Sequence, residues 1–195
     1  MDKYNVYQDM SRRTGGEIYL GIVGPVRTGK STFIKRFMEL VVIPEMSDDN
    51  EKVRTIDELP QSADGKTIMT TEPKFIPKEA AVIHFSNQET GKIRLIDCVG
   101  YLVPEAVGAI EEEKERMVKT PWSEEEIPFS KAAEIGTSKV IREHSNLGLI
   151  ITTDGSFGDI AAANFEEALQ KTVMECEKAG KPFLILVNTS RPDSQ

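Results

Sequence analysis

The chain has 195 residues, with 39% hydrophobic and 29% charged residues and a formal net charge of −8. That length suits one α/β domain with a substantial core, and the ordinary apolar and charged fractions argue against a disordered or membrane-spanning chain. The acidic balance argues against general nucleic-acid binding, which needs a basic face, and two cysteines make neither a disulfide framework nor a zinc site.

Residues 1–7 lack the apolar core of a signal peptide, and no run approaches membrane-spanning length. Residues 1–17 therefore read as an N-terminal segment of a cytoplasmic protein. Residues 18–23, Ile-Tyr-Leu-Gly-Ile-Val, predict a buried strand, and residues 32–38 predict the helix that follows it. Between them, Gly24-Pro25-Val26-Arg27-Thr28-Gly29-Lys30-Ser31 fits G-x-x-x-x-G-K-[ST] at every defined position, in the strand–loop–helix setting the motif requires. Glycines at both ends let the backbone curl so that its N–H groups face phosphate oxygens, helped by the positive end of the helix. The expected nucleotide-binding set runs from Gly24, Pro25, Val26, Arg27, Thr28 and Gly29 through Lys30, Ser31 and Thr32. Lys30 places charge at the outer phosphates, and Ser31 ligates Mg²⁺. A glycine-rich turn before a helix is the plainer alternative, and the context weighs against it.

A polar stretch over residues 47–66 predicts loop with a short helix around 53–59. Thr67-Ile68-Met69-Thr70-Thr71-Glu72-Pro73 then falls where switch I of a Ras-like nucleotide hydrolase would supply a threonine to Mg²⁺ and the γ-phosphate. Thr70 and Thr71 are both candidates for that catalytic and metal-binding role, and ordinary strand-initiating threonines are the alternative. Gly65-Lys66-Thr67 imitates the phosphate loop but follows no strand, so it is no second site, although Lys66 lies within reach of the phosphates from a mobile loop. Residues 81–85 and 92–97 flank the turn-rich spacer 86–91 and predict an antiparallel hairpin, in which His84 is structural.

Asp97-Cys98-Val99-Gly100 ends the second hairpin strand. A carboxylate there orients water on Mg²⁺, and Gly100 permits the close backbone approach of a γ-phosphate sensor. Cys98 reads as a buried thiol. Tyr101 stands where a water-positioning glutamine is expected, so intrinsic hydrolysis should be slow unless another residue or subunit completes the site. Residues 100–128 carry Glu111-Glu112-Glu113-Lys114-Glu115-Arg116, Thr120-Pro121-Trp122 and Glu124-Glu125-Glu126. They read as a solvated acidic insertion, or as an interaction surface anchored by Trp122.

An amphipathic helix over 130–143, with His144 suiting its C-terminal dipole, precedes a strand at 147–152. Asp154-Gly155-Ser156-Phe157-Gly158-Asp159 lies at the nucleotide rim. Helix capping by Ser156 or Asp159 is set there against a nucleotide or subunit contact. A helix over 161–179 ends at Gly180 and leads to a strand at 183–187. After it, Asn188-Thr189-Ser190-Arg191 occupies the place of a guanine-reading Asn-Lys-x-Asp. Arg191 replaces the aspartate, so ATP is expected over GTP, with Asn188 kept in the nucleotide-binding set. The alternation predicts a P-loop NTPase of the Ras-like, TRAFAC GTPase-derived type. Its sheet is mostly parallel with one antiparallel hairpin strand, and helices cover both faces.

Taken together, these motifs resemble the stage IV sporulation protein A family over nearly the whole chain. The likeness rests on the phosphate loop within 18–37, residues 62–73, residues 97–101, Thr120-Pro121-Trp122, Ala133-Glu134-Ile135-Gly136-Thr137 and residues 152–160. The family is that of the morphogenetic ATPase of endospore-forming bacteria. The resemblance implies ATP and Mg²⁺ as cofactors, with ATP held by Lys30 and Ser31, Mg²⁺ served by Asp97, and Thr70 or Thr71 as sensor. It implies slow hydrolysis that drives assembly of a homopolymer, the basement layer of the spore coat on the mother-cell side of the forespore. A small amphipathic membrane peptide and other coat proteins are the implied partners. The family is longer than this chain, so residues 18–195 read as its nucleotide-binding domain, stopping before the last sheet strand and without membrane insertion. A regulatory Ras-like GTPase and a nucleotide-binding scaffold that does not hydrolyse remain as alternatives.

Overall fold

The computed structural model describes residues 16–60, 71–84, 90–106, 110–111 and 114–193. The chain opens with β1 (Glu17–Val23) and α1 (Lys30–Phe37), which runs on through a π turn (Met38–Val42) and a short helical turn (Ile43–Glu45). Then come α2 (Asp49–Glu58), β2 (Lys74–His84) and β3 (Thr90–Asp97). Four short strands follow: β4 (Ile110–Glu111), β5 (Lys114–Glu115), β6 (Met117–Thr120) and β7 (Ser123–Pro128). The last elements are α3 (Phe129–Lys139) with a π turn (Val140–His144), β8 (Leu147–Thr153), a 3₁₀ turn (Ala162–Phe165), α4 (Glu166–Ala179) and β9 (Phe183–Asn188).

The central sheet has the order β2-β3-β1-β8-β9. β1 runs parallel to β3 and β8, β8 runs parallel to β9, and β2 alone is antiparallel. The architecture is therefore mixed α/β, with a mostly parallel sheet and one antiparallel hairpin. Period-two alternation sends successive side chains to opposite faces, and strands buried on both faces read as continuous apolar runs. Leu20, Ile22, Leu95, Leu149 and Ile151 meet Ile34, Met38 and Val42 of the first helix on one face. Val23, Ile96 and Ile150 meet Val140, Ile141 and Cys176 on the other. Each fully buried aliphatic side chain in these layers contributes about 1.5–3 kcal/mol. Both cysteines are free and buried, as Cys98's apolar setting implied.

The hairpin pairs as expected, but β2 begins at Lys74 and shifts register between Ile76 and Ala81. Pro77, Lys78 and Glu79 interrupt its alternation there, as tolerated at a bulge on an edge strand. Phe85 lies outside the described residues, as do Gly65, Lys66, Thr67 and Thr70. α2 begins earlier than the sequence pattern suggested, because Asp48 caps it by accepting from the N–H groups of Asn50 at 2.7 Å and Glu51 at 3.1 Å.

β4 pairs antiparallel with β5, and β6 with β7, with Glu124, Glu125 and Glu126 exposed. Trp122 lies in the turn between β6 and β7. It is half-buried and turned toward α3, where a Cβ at Gly136 would lie 3.8 Å from its Cη2. His84 is exposed at the end of its strand, and His144 sits edge-on to Phe75 with ring centroids 5.5 Å apart. Along β9, the apolar residues Leu184, Ile185, Leu186 and Val187 are all exposed. Among the described residues, no helix is long and apolar enough to cross a membrane.

Candidate functional site

The loop of residues 24–29 joins β1 to α1 at the carboxyl edge of the sheet and is held from three sides. The backbone N–H of Tyr101 donates to Gly24 O at 3.2 Å, and Val26 N–H donates to Tyr101 O at 2.9 Å. These bonds tie the loop to the segment after β3. Inside the loop, Thr28 Oγ1 donates to Pro25 O at 3.0 Å, and Lys30 Nζ donates to the same carbonyl at 2.5 Å. From the end of β9, Asn188 Nδ2 donates to Thr28 O at 3.2 Å. The carbonyls of Gly24, Pro25 and Thr28 are thus satisfied, residues 26–27 form a hydrogen-bonded turn that takes the Thr28 N–H, and the N–H groups of Arg27 and Gly29 have no hydrogen-bond partner among the described residues. Backbone N–H groups gathered before a helix form an anion-binding concavity.

The loop residues divide by role. Val26 buries its side chain and spends its N–H on Tyr101, so it holds the loop in place, and Pro25 has no N–H to offer. Gly29 caps α1 with φ 92°, and a Cβ there would meet Asn188 Nδ2 at 2.6 Å. Ser31 and Thr32 are exposed on the first turn of α1.

Asp97 ends β3, directly beside Ile22 of β1 and Lys74 of β2. Ser31 Oγ donates to Asp97 Oδ2 at 2.7 Å, while Asp97 Oδ1 is buried with no partner. Burial raises the Asp97 carboxyl above its ordinary value, against the Ser31 hydrogen bond and the Lys30 charge, which lower it. Burial likewise lowers Lys30, against the pull of Cys98 and Asp97. Desolvation disfavours both charged forms, so the site lacks ionic compensation that a triphosphate and a cation together would supply. The Cys98 thiol beside them is pushed by burial up to about 11.

These residues fit a magnesium ion. The unpartnered Asp97 oxygen and the Ser31 hydroxyl are hard oxygen donors. No group of three or more His, Cys, Asp or Glu able to hold a metal occurs among the described residues. A cation here would take its remaining ligands from phosphate oxygens and water, the usual habit of Mg²⁺.

Gly100 presses the chain against this centre. Its φ is +93°, and a Cβ would lie 2.1 Å from Gly24 O and 2.7 Å from Lys30 Nζ. Thr71 is buried, and its carbonyl lies 2.7 Å from the Cβ that Gly136 lacks. No hydrogen bond joins Thr71 to Ser31 or Asp97 among the described residues, and Thr70 lies outside those residues.

Three supports escaped the sequence pattern. Tyr101 is buried with Val26, Val103, Ile160, Phe165 and Ala168 in a third apolar cluster, and Lys171 Nζ sits 4.9 Å from its ring centroid. Burial raises its hydroxyl far above the usual range, so Tyr101 is a floor beneath the loop rather than a group poised over phosphate. Asp154 accepts from Ser156 N–H at 2.9 Å and Thr189 Oγ1 at 2.6 Å, and Ser190 N–H donates to Ser156 Oγ at 2.8 Å. The 154–159 segment therefore knits to the loop after β9 rather than capping a helix through Ser156. Cys98 Sγ donates to Ile22 O at 3.5 Å, bracing the end of β3 against β1.

The model of the stage IV sporulation protein A ATPase domain matches residues 1–195. The chain is 57% identical over 192 residues to stage IV sporulation protein A of Bacillus subtilis (strain 168), covering 98% of this chain and 39% of that protein. It is 55% identical to the Bacillus anthracis protein over 192 residues, with the same 98% and 39% coverage. It is 50% identical to that of Clostridioides difficile (strain 630) over 191 residues, again 98% and 39%. The chain thus spans about two fifths of the length of the curated relatives it matches.

Proposed function

The chain belongs to the stage IV sporulation protein A family, matching its ATPase domain, and from that premise we propose that it binds and hydrolyses Mg²⁺-ATP. In the whole protein, hydrolysis drives self-assembly of a static polymer, the basement layer of the spore coat on the mother-cell face of the forespore. The partners are other copies of the protein, a small amphipathic membrane peptide and other coat proteins.

The observation that carries the reading is the Ser31–Asp97 hydrogen bond at 2.7 Å with the second Asp97 oxygen buried and unpartnered. Ser31 and Asp97 would hold Mg²⁺, which neutralises charge on the outer phosphates when bound. Lys30 shifts its hydrogen bond from Pro25 O to a phosphate oxygen, recovering in the complex the counter-charge that burial denies it. The N–H groups of Arg27 and Gly29 orient the phosphate chain, and Asn188 fixes the loop from behind. The strand order with an antiparallel β2 supports a Ras-like lineage. Arg191, in place of a guanine-reading carboxylate, supports ATP over GTP.

Phosphate release by the intact protein, measured against protein concentration with ATP and with GTP, tests the reading. ATP turnover that rises with assembly and vanishes in Asp97→Ala is expected. Equal turnover by Asp97→Ala at saturating Mg²⁺, or a strong preference for GTP, would sink it. The burial of Tyr101 favours a second reading, a scaffold that binds ATP without cleaving it. Nucleotide binding with no phosphate release at any protein concentration would establish that one.

A further inference from the structure

We infer that Arg27 is the residue that completes the hydrolytic site, its guanidinium binding the phosphate oxygens on which charge develops as the γ-phosphoryl group transfers. The inference rests on the ATPase reading above and supplies what that reading lacks. Tyr101, at the position where a glutamine would act, is committed to the apolar floor. Lys30 is buried and bound to Pro25 O, and Ser31 and Asp97 face each other. None of these reaches the bridging oxygen with a planar, multiply donating cation, which is the chemistry that a loose phosphoryl-transfer transition state rewards.

Arg27 is placed for that task. It lies inside the phosphate loop, and its own N–H is one of the unpartnered donors of the concavity. Its side chain is exposed and makes no hydrogen bond or ion pair among the described residues. Its backbone has φ 61°, a left-handed conformation that glycine adopts without strain and an arginine does not. The loop thus carries a strained arginine where glycine would fit more easily, a pattern that marks functional positions.

The other described non-glycine residue with positive φ, Glu105 at 67°, lines the same cleft as Arg27. That cleft, of about 140 Å³, is also lined by Phe157, Gly158, Asp159, Ile160 and Phe165. Glu105 and Asp159 line that cleft without pairing with Arg27, so the guanidinium has no ion pair to break before it meets a phosphate.

In the step itself, a water oxygen attacks the γ-phosphorus while the bond from that phosphorus to the β–γ bridging oxygen breaks. The bonding electron pair stays on that oxygen, which leaves with ADP, and the water proton passes to the phosphate product or to solvent. Arg27 donates to the bridging and γ-oxygens as their negative charge grows, and forms and breaks no covalent bond.

Arg27→Gly is the informative variant, because glycine accepts the native φ and leaves folding intact. In the intact protein, three quantities decide the matter: affinity for ATP with Mg²⁺, single-turnover cleavage rate, and affinity for ADP with Mg²⁺ and aluminium fluoride, a mimic of the transferring group. Arg27→Gly should keep ATP affinity within about threefold of wild type. Its cleavage rate should fall at least about a thousandfold, the lower end of the range an arginine finger supplies, and affinity for the aluminium fluoride complex should fall in parallel. Arg27→Lys should restore little of either, lacking the planar fork. Cleavage by Arg27→Gly within threefold of wild type would overturn the assignment. So would equal losses of ATP affinity and rate, which would make Arg27 a ground-state contact only. If wild type itself binds no ATP, the ATPase reading fails rather than the role of Arg27 within it.

Discussion

Ser31 and Asp97, from the first turn of α1 and the last position of β3, share a 2.7 Å hydrogen bond that spends one carboxylate oxygen and leaves the other buried and unanswered. Under the proposed function, this hydroxyl and carboxylate would supply two adjacent oxygen ligands to Mg²⁺. Asp97→Asn keeps the shape and removes the charge. It should lower Mg²⁺-dependent ATP cleavage at least about a hundredfold, since a catalytic metal supplies several kcal/mol. Metal-free ADP binding should be unaffected, and isothermal titration with and without Mg²⁺ separates the two effects.

The pH dependence follows from the same carboxyl. Burial raises the Asp97 carboxyl above its ordinary value, and a cation requires the deprotonated form. Mg²⁺ affinity should therefore weaken as pH falls toward the raised value, beginning at a higher pH than for an ordinary aspartate, with protons released on binding. For the nucleotide-free protein the sign is opposite. The proton on Asp97 stabilises the fold below the unfolded value, and that contribution is lost as pH rises through the folded one. Mg²⁺ titrations across the acidic range check this, and a pH-independent affinity would show that Asp97 is not the ligand.

Gly100→Ala should be severe for its size. The new methyl would lie 2.1 Å from Gly24 O and 2.7 Å from Lys30 Nζ, at a φ of +93°. Overpacking and left-handed strain together should cost about 2–4 kcal/mol, visible as a lower urea midpoint. ATP affinity should drop at least about tenfold as Lys30 is displaced, a further 1.4 kcal/mol.

Asn188→Ala removes one hydrogen bond, the 3.2 Å contact with Thr28 O. A loss of about 1 kcal/mol should appear as a roughly fivefold weakening of nucleotide affinity. ATP and GTP should weaken alike, because Asn188 acts on the loop and not on the base. Competition binding with both nucleotides measures this, and a change in base preference alone would contradict the bracing role.

Replacing Thr70 and Thr71 together by alanine should leave ATP binding within about tenfold of wild type, near 1.4 kcal/mol, while cleavage and nucleotide-dependent assembly of the intact protein fail. Normal cleavage and polymerisation by that double variant would return both threonines to ordinary structural duty.

Local signals carried much of the fold and the centre of the site. β1 and β8 are buried on both faces, so they stand out as continuous apolar runs. The phosphate loop is legible because its backbone geometry demands particular residues at fixed spacing. What escaped depends on contacts between distant segments. The start of β2 is hidden by Pro77, Lys78 and Glu79, which only a bulge reconciles with pairing to β3. The cap supplied by Asp48 lies in an acidic, polar run where one carboxylate looks like the next. Tyr101 reads as a missing glutamine, and only its meeting with Ile160, Phe165 and Ala168 reveals a floor. Trp122 has the composition of an interface anchor, and only α3 shows where it goes.

The outer strand, β9, has a bearing on how assembly is measured. Four consecutive aliphatic residues, Leu184 to Val187, stand 40–64% exposed, next to backbone groups with no neighbouring strand beyond them among the described residues. Such a surface recruits other strands without regard to nucleotide. Residues 1–195 studied by themselves should bind hydrophobic dyes and scatter light increasingly with temperature, in ADP as readily as in ATP. Aspartate or lysine at Leu184 and Leu186 should quench that background and leave ATP affinity untouched. Turbidity therefore becomes a clock for nucleotide-driven polymerisation only after the adhesive strand has been silenced.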